Sequence, residues 1–332
     1  GNNSGNSATP GKISLQINNI ATVIQRINMD VIGVEEIASD SAMSELLLQL
    51  PGYAAVLSNR YSHSFSPPDP TFPPQKVGVI YNTATMTLSA SEPPRAMFEA
   101  MYDSARLGLP GHRLADYPTG TPSSFWSSGR LPYLATFNVN INGVTKKVRI
   151  IVLHAKAIGD AESFNRRVYD ARVLKDSIDA YYRNDNVIIV GDYNDRLIRS
   201  TYSGSSISPY QPFVLDTAGY TPLTYSLDSA GRVSFISGSG LIDHIVITNP
   251  LRAANIANST DIEDPRQYIA SYNDSTASDH LPVFTRFIFT PPPAPPPPAT
   301  ITQFTGQVRL LDVLLSWTTS REEHMDYFIV KR

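Results

Sequence analysis

Five stretches of this chain end an apolar run on a side chain able to bind a cation or move a proton. Val31–Val34 runs into Glu35 and Glu36, Ile150–Leu153 into His154, and Val187–Val190 into Gly191-Asp192-Tyr193-Asn194. Leu241-Ile242 precedes Asp243-His244, and Ser278-Asp279-His280 precedes Leu281-Pro282-Val283. Carboxylates are hard oxygen ligands suited to Mg²⁺, Ca²⁺ or Mn²⁺, and histidine exchanges protons near neutral pH. Together they could hold a divalent cation and exchange protons beside it. Taken singly, each has an ordinary structural reading. Glu35-Glu36 reads as a solvated strand end, His154 as a hydrogen-bonded core residue, and Asp192 and Asp243 as turn or cap residues. The chemical reading rests on their joint occurrence at the ends of strand-like runs, where a sheet fixes side chains rigidly.

The elements that must position them alternate in period along the chain. Ile17, Ile20, Ile24 and Ile27 mark one helix face, and Asp30–Val34 follows as a buried-type strand. Val77–Tyr81 is a similar run. Tyr133–Asn140 and Lys147–Leu153 read as strands joined at Asn142-Gly143, a strong hairpin turn. Phe164, Val168, Ala171, Ile178 and Tyr182 line a helix that carries Arg166, Arg167, Arg172 and Lys175 on its other faces. Asn186–Val190, Leu241–Thr248 and Leu281–Phe289 complete the strands. The segments 61–74, 104–129 and 200–213 are long and irregular, as substrate-contacting loops often are.

The chain has 332 residues, 42% hydrophobic and 17% charged, enough for a large core and outside the range of disordered chains. No run of about 18 apolar residues occurs, so stable membrane insertion is not expected. The net charge is -3, whereas a protein that grips nucleic acid by a broad basic face is expected to be positive. A phosphodiester would therefore be held locally, through a metal ion. With no cysteine, disulfides, zinc–thiolate sites and thiol nucleophiles are excluded. The run Pro291–Pro298 reads as a stiff polyproline II spacer of roughly 25 Å at about 3.1 Å per residue. It divides a domain over residues 1–290 from a piece over residues 299–332.

The succession Asp30-Val31-Ile32-Gly33-Val34-Glu35-Glu36-Ile37, Leu153-His154-Ala155-Lys156, Gly191-Asp192-Tyr193-Asn194, Ile242-Asp243-His244-Ile245 and Ser278-Asp279-His280-Leu281-Pro282-Val283 resembles the endonuclease/exonuclease/phosphatase family. Gly129-Arg130-Leu131-Pro132 is similar to a lesser signature of that family, and the Leu-His-Ala segment lies nearest its deoxyribonuclease I branch. The resemblance implies an α/β (α+β) fold, a four-layered sandwich of two mixed β-sheets flanked by helices, with the site at the sheets' upper edge. It implies Glu36 and Asp279 as metal ligands, with Mg²⁺ expected and Ca²⁺ or Mn²⁺ as alternatives. It implies His280 as catalytic base, Asp243 as the carboxylate orienting it, and His154 as a phosphate contact and acid. Asp192 and Asn194 would position water and bind a phosphoryl oxygen, and Arg130 would lie near the scissile phosphate. The sequence departs from the family at two places. A Gly/Ser/Asn-rich lead, Gly1–Ser7, stands where the family has a strand ending in Asn. Gln75 and Lys76 stand where the deoxyribonuclease I branch has an acidic partner for its equivalent of His154.

The segment Ile301–Val330 resembles the opening strands of a fibronectin type III-like module, which implies an extracellular, bacterial protein. The expected function is a secreted, metal-dependent endonuclease on DNA or RNA, with nucleic acid as substrate and partner. The basic residues of the 164–182 helix favour it. The alternatives are a phosphatase or lipid phosphodiesterase, for which Phe65, Phe72, Phe125 and Trp126 would supply apolar loop contacts, and a non-catalytic binding or adhesion protein that keeps the fold.

Overall fold

In a computed structural model, residues 10–62, 75–109, 111, 113–119, 121–238, 240–290, 299–309 and 312–322 are described. Two compact units are present, Gly1–Phe289 and Thr290–Arg332. The first contains α1 (Pro10–Ile27), β1 (Val31–Ile37), α2 (Asp40–Leu48), β2 (Tyr53–Tyr61), β3 (Lys76–Asn82), β4 (Met86–Leu88) and β5 (Arg95–Ala96). It continues with α3 (Glu99–Arg106), the turn α4 (Phe125–Gly129), β6 (Tyr133–Ile141), β7 (Val144–His154), α5 (Ala161–Tyr181) and β8 (Val187–Asp192). It closes with α6 (Gln211–Leu215), β9 (Tyr220–Pro222), α7 (Tyr225–Ser229), β10 (Asp243–Thr248), β11 (Asp261–Ile262) and β12 (Val283–Phe284).

Two sheets carry the fold. The smaller has the order β1-β3-β2; the seven-stranded one runs β4-β6-β7-β8-β10-β9, with β5 also on β6. All pairs are antiparallel except β7–β8, which is parallel and is bridged by α5. The central strands are apolar at almost every position because both faces are covered. Ile151, Leu153, Ile189 and Val246 point to a core shared with α5, while Val148, Ile150, Val152, Ile188, Ile245 and Ile247 point to a core shared with Val77 and Val79 of the other sheet. On the outer side of the small sheet, Ile17, Ala21 and Ile24 of α1 pack with Met43 and Leu46 of α2. The layers are therefore helix, sheet, sheet, helix, as the family resemblance implies.

Two strands differ from the sequence expectation. The run at Val31–Val34 reads as a fully buried strand, yet every residue of β1 is only half-buried. Among the described residues it pairs only with β3, and it lines a cavity of about 1300 Å³. Leu281–Phe289 reads as one strand but forms only the two-residue β12, paired with β11, because Pro282 has no amide to donate.

The second unit is a two-stranded hairpin of β13 (Ala299–Arg309) and β14 (Asp312–Glu322). Phe304 and Trp317 stack across it with ring centroids 6.5 Å apart. Its residues are largely exposed, and two strands alone bury too little to be stable independently. The Pro291–Pro298 spacer lies outside the described residues, as do Phe65, Phe72 and the lead before α1.

Candidate functional site

Strand register builds the centre of the site. In the parallel pair His154 is opposite Asp192, and in the antiparallel pair Asp243 is opposite Asp192. Residues opposite one another share a face. His154 and Asp192 lie two residues after an apolar side chain of the inter-sheet face, Val152 and Val190, and Asp243 lies two residues before another, Ile245. The alternation of a strand thus carries all three onto that same inner face, where the apolar core ends.

Two glycines let the sheets and side chains approach. A Cβ on Gly33 would come within 2.6 Å of Val190 Cγ2, so β1 packs closely on the large sheet only because that atom is missing. Gly191 has φ +131°, and a Cβ there would lie 2.0 Å from the Leu153 carbonyl oxygen and 2.9 Å from Glu35 Oε1. A side chain at this position would drive apart the strands that bear His154 and Asp192.

Alternation along β1 turns Glu35 inward with Val31 and Gly33. Glu36 should then face the helices with Ile32 and Val34. Instead the pairing of β1 with β3 shifts register between Val34 and Ile37, and Glu36 takes a positive φ of 56°. Such an irregularity re-aims a side chain. Glu36 Oε1 reaches to 4.0 Å from His154 Nε2 and accepts a hydrogen bond of 3.0 Å from Gln75 Nε2.

Around this centre the polar contacts are directed. His280 Nδ1 lies 2.7 Å from Asp243 Oδ2, which also accepts a 2.6 Å bond from the Ser234 hydroxyl. Asp192 accepts bonds from the backbone N–H of Asn194 at 2.7 Å and from its Nδ2 at 2.8 Å. That Nδ2 also donates to the Ala155 carbonyl at 3.0 Å, and Asn194 holds φ 50° to do so. His154 Nε2 is 3.3 Å from Asp192 Oδ2, while its Nδ1 is buried without a partner.

The charges are unevenly balanced. Burial, then the carboxylates of Asp243 and Asp192, push Glu35 up to about 8, and its Oε1 is buried with no hydrogen bond. Burial works to lower His280, but Asp243, Asp192 and Asp279 outweigh it and push it up to about 10. Burial is the main cause that lowers His154, with Arg130 acting in the same direction against Asp192 and Glu36. Among the described residues, Asp192, Asp243 and His280 bring ligand atoms within 4.8 Å of one another. A crowded set of carboxylates with an unpartnered shielded oxygen fits a hard divalent cation.

The structure gathers most of the expected residues. Glu36, His154, Asp192, Asp243, Asp279 and His280 all line the same cavity. Glu36 and Asp279, the expected metal ligands, fall outside the tight trio. Asn194 faces Asp192 and acts on that carboxylate. Arg130 is expected near the scissile phosphate. It is 4% exposed and donates to the His154 carbonyl at 3.2 Å, the Ala155 carbonyl at 3.3 Å and Gln75 Oε1. Its fork is turned into the protein behind His154, where most of its reach is already used.

Three residues of the site receive no role from the sequence. Strand parity could have turned Glu35 inward. Gln75 stands out there only as a departure from the deoxyribonuclease I branch, and Ser234 carries no local signal of its bond to Asp243. The basic face of α5 is also not what it promised. Arg166 and Arg167 are buried, Arg172 lies over the Tyr169 ring, and Lys175 pairs with Asp179 and Asp216. Phe125 and Trp126 are fully buried as well, so neither forms an apolar loop surface.

The sequence matches the profile of the Endonuclease/Exonuclease/phosphatase family over residues 3–280. The chain belongs to that family. No curated protein matches it. Among solved structures, a D. rerio TDP2 complexed with single-strand DNA product superposes with a TM-score of 0.54 at 13% identity, covering 87% of this chain and 96% of that one. The human Nocturnin catalytic domain with bound sulfate gives 0.51 at 14% identity, over 86% and 89% of the two chains. Bacteroides thetaiotaomicron mannosyl-6-phosphatase Bt3783 gives 0.51 at 16% identity, over 84% and 93%. At these identities the likeness is one of fold. As a member of the family, the chain has the fold of hydrolases that act on phosphoester bonds.

Proposed function

We propose that this protein is a divalent-metal-dependent phosphodiester hydrolase, acting outside the cell as an endonuclease on DNA or RNA. The observation that carries the hydrolase reading is the His280–Asp243 pair set in one cavity with Asp192 and His154. Asp243 accepts the Nδ1 proton of His280, which fixes the tautomer and leaves Nε2 to take a proton from an attacking water. Asn194 clamps Asp192 so that its carboxylate can orient that water. His154, whose proton affinity burial lowers, offers a hydrogen bond to a phosphoryl oxygen. Arg130 acts from behind His154 by fixing the end of β7. Glu36 and Asp279, with Asp192 and Asp243 beside them, would hold Mg²⁺, whose chemistry is to neutralise charge on the phosphoryl oxygens and leaving group.

The electrostatics support metal dependence. Without a cation, His280 is protonated at neutral pH because three carboxylates surround it, and a protonated imidazole accepts no proton. Hydrolysis in chelator is therefore not expected.

The nucleic acid reading draws support from the DNA product bound to the D. rerio TDP2 neighbour. A second reading, a small phosphoester substrate, is favoured by the inward-turned basic residues of α5 and by the mannosyl-6-phosphatase neighbour. We further read residues 1–290 as the catalytic domain, 291–298 as a spacer, and 299–332 as the start of a fibronectin type III-like module of a secreted protein. The test is incubation with plasmid DNA, RNA and a chromogenic phosphodiester, each with Mg²⁺, with Ca²⁺ and with chelator. Metal-dependent nicking of plasmid is the expected result. Turnover of the small diester alone moves the assignment to the second reading, and equal turnover in chelator removes the metal.

A further inference from the structure

Gln75, the residue just before β3, is 5% exposed and has both ends of its amide engaged. Its Oε1 accepts from Arg130 Nη1, and its Nε2 donates to Glu36 Oε1 at 3.0 Å. Arg130 is itself fixed by the carbonyls of His154 and Ala155, at the end of β7 in the large sheet. Glu36 projects from an irregular point of β1 in the small sheet, with its backbone in the left-handed region. The amide therefore ties a side chain of one sheet to the end of a strand in the other.

We propose that Gln75 is a positioning residue that fixes the Glu36 carboxylate for cation binding, and that a neutral amide is required in this place. The reason is donor and acceptor arithmetic. A guanidinium only donates and an ionised carboxylate only accepts, so the group between them must do both. An amide does this without adding charge. A carboxylate at position 75 would keep the bond from Arg130 but set an acceptor against the acceptor Glu36. An apolar side chain would leave a buried Arg130 donor unmet. Partners of this kind, one bond behind a ligand, change metal affinity by about 10–100-fold when removed.

The inference rests on the reading of Glu36 as a cation ligand, so the test contains its own control. Mn²⁺ binding to the full chain is measured by titration calorimetry for wild type, Glu36→Gln, Gln75→Met, Gln75→Glu and the double variant Glu36→Gln/Gln75→Met. Circular dichroism melts accompany each, and kcat and KM are measured on a chromogenic phosphodiester. The expected result is a Mn²⁺ affinity at least tenfold weaker in Gln75→Met, a fall in kcat with KM little changed, and no further weakening when Gln75→Met is added to Glu36→Gln. Gln75→Glu, nearest in shape, covers the case in which Gln75→Met fails to fold, and it too should lower kcat. Folded Gln75 variants with wild-type Mn²⁺ affinity and kcat, beside an impaired Glu36→Gln, overturn the role of Gln75 alone. Losses that simply multiply in the double variant overturn it as well. Wild-type Mn²⁺ affinity in Glu36→Gln overturns the ligand reading beneath it.

Discussion

Two clusters of charge lie inside this protein, with Asp195 of one only three residues after Asp192 of the other, and they are built on opposite plans. In the first, Arg167 and Asp195 are both completely buried. Arg167 donates from Nε and Nη2 to Asp195 Oδ2 at 3.1 and 2.9 Å, and from Nη1 to the carbonyls of Lys156 and Ile158. Asp195 also takes the Ser200 hydroxyl at 2.8 Å. One positive charge meets one negative charge, and the remaining polar capacity is spent on backbone. In the second, at the strand ends, Glu35, Asp192 and Asp243 crowd together, and Glu35 Oε1 and His154 Nδ1 have no partner. Burial alone therefore does not mark function. A closed, neutral cluster holds loops in place, whereas an unbalanced one stores a demand for something from outside: a cation, a proton or a phosphoryl group.

Three experiments would break or sharpen that contrast. The largest effect belongs to the unbalanced cluster. His280→Ala and Asp192→Asn should each lower kcat by about 10²–10⁴-fold, the share of a positioned acid–base group, with melting temperatures near wild type. Retained turnover in a folded His280→Ala protein would falsify its role as the base.

Arg167→Ala should do the reverse. Removing one partner of a buried pair strands the other charge, at a cost of about 3–5 kcal/mol. Chemical denaturation should show this loss, and any fall in activity should follow the unfolded fraction. A stable Arg167→Ala protein with greatly reduced kcat would mean that the closed cluster takes part in the chemistry.

The smallest effect is a gain. The folded protein holds Glu35 protonated up to about 8, while an ordinary glutamate ionises near 4.5. Between those values the unfolded chain has released a proton that the folded chain keeps, so stability in chelator falls as pH rises across that window. Glu35→Gln should flatten the slope and stabilise the cation-free protein at pH 8 by about 1–3 kcal/mol, since it removes a group whose ionised form is disfavoured in the fold. Thermal melts from pH 5 to pH 8 read this directly. If the variant melts lower than wild type at pH 8 in chelator, the corner is not overcharged in the way described.

Much of this was legible along the chain. The apolar runs at Ile150–Leu153, Val187–Val190 and Ile245–Ile247 announce strands covered on both faces, and the polar residue two positions from the nearest inward side chain, after it in the first two and before it in the third, is fixed by the geometry of a strand. His154, Asp192 and Asp243 follow from that rule. Glu36 does not, because the irregularity that re-aims it depends on how β1 meets β3. Nor do Gln75 and Ser234, whose partners stand 39 and 9 residues away. The basic side chains of α5 misled for a related reason. A helix shows which residues share a face, but not which faces another element will cover, and Arg166 and Arg167 lie on covered ones.

The sequence by itself determined the central strands, the family and the kinds of atoms available at the strand ends, because periodicity and residue chemistry are local properties. The tertiary structure alone decided which carboxylates crowd together, that Arg130 faces inward, and that an amide joins it to Glu36. Those are matters of distance and burial between segments far apart in the chain. An unmet charge exists only once the fold has removed water from around it.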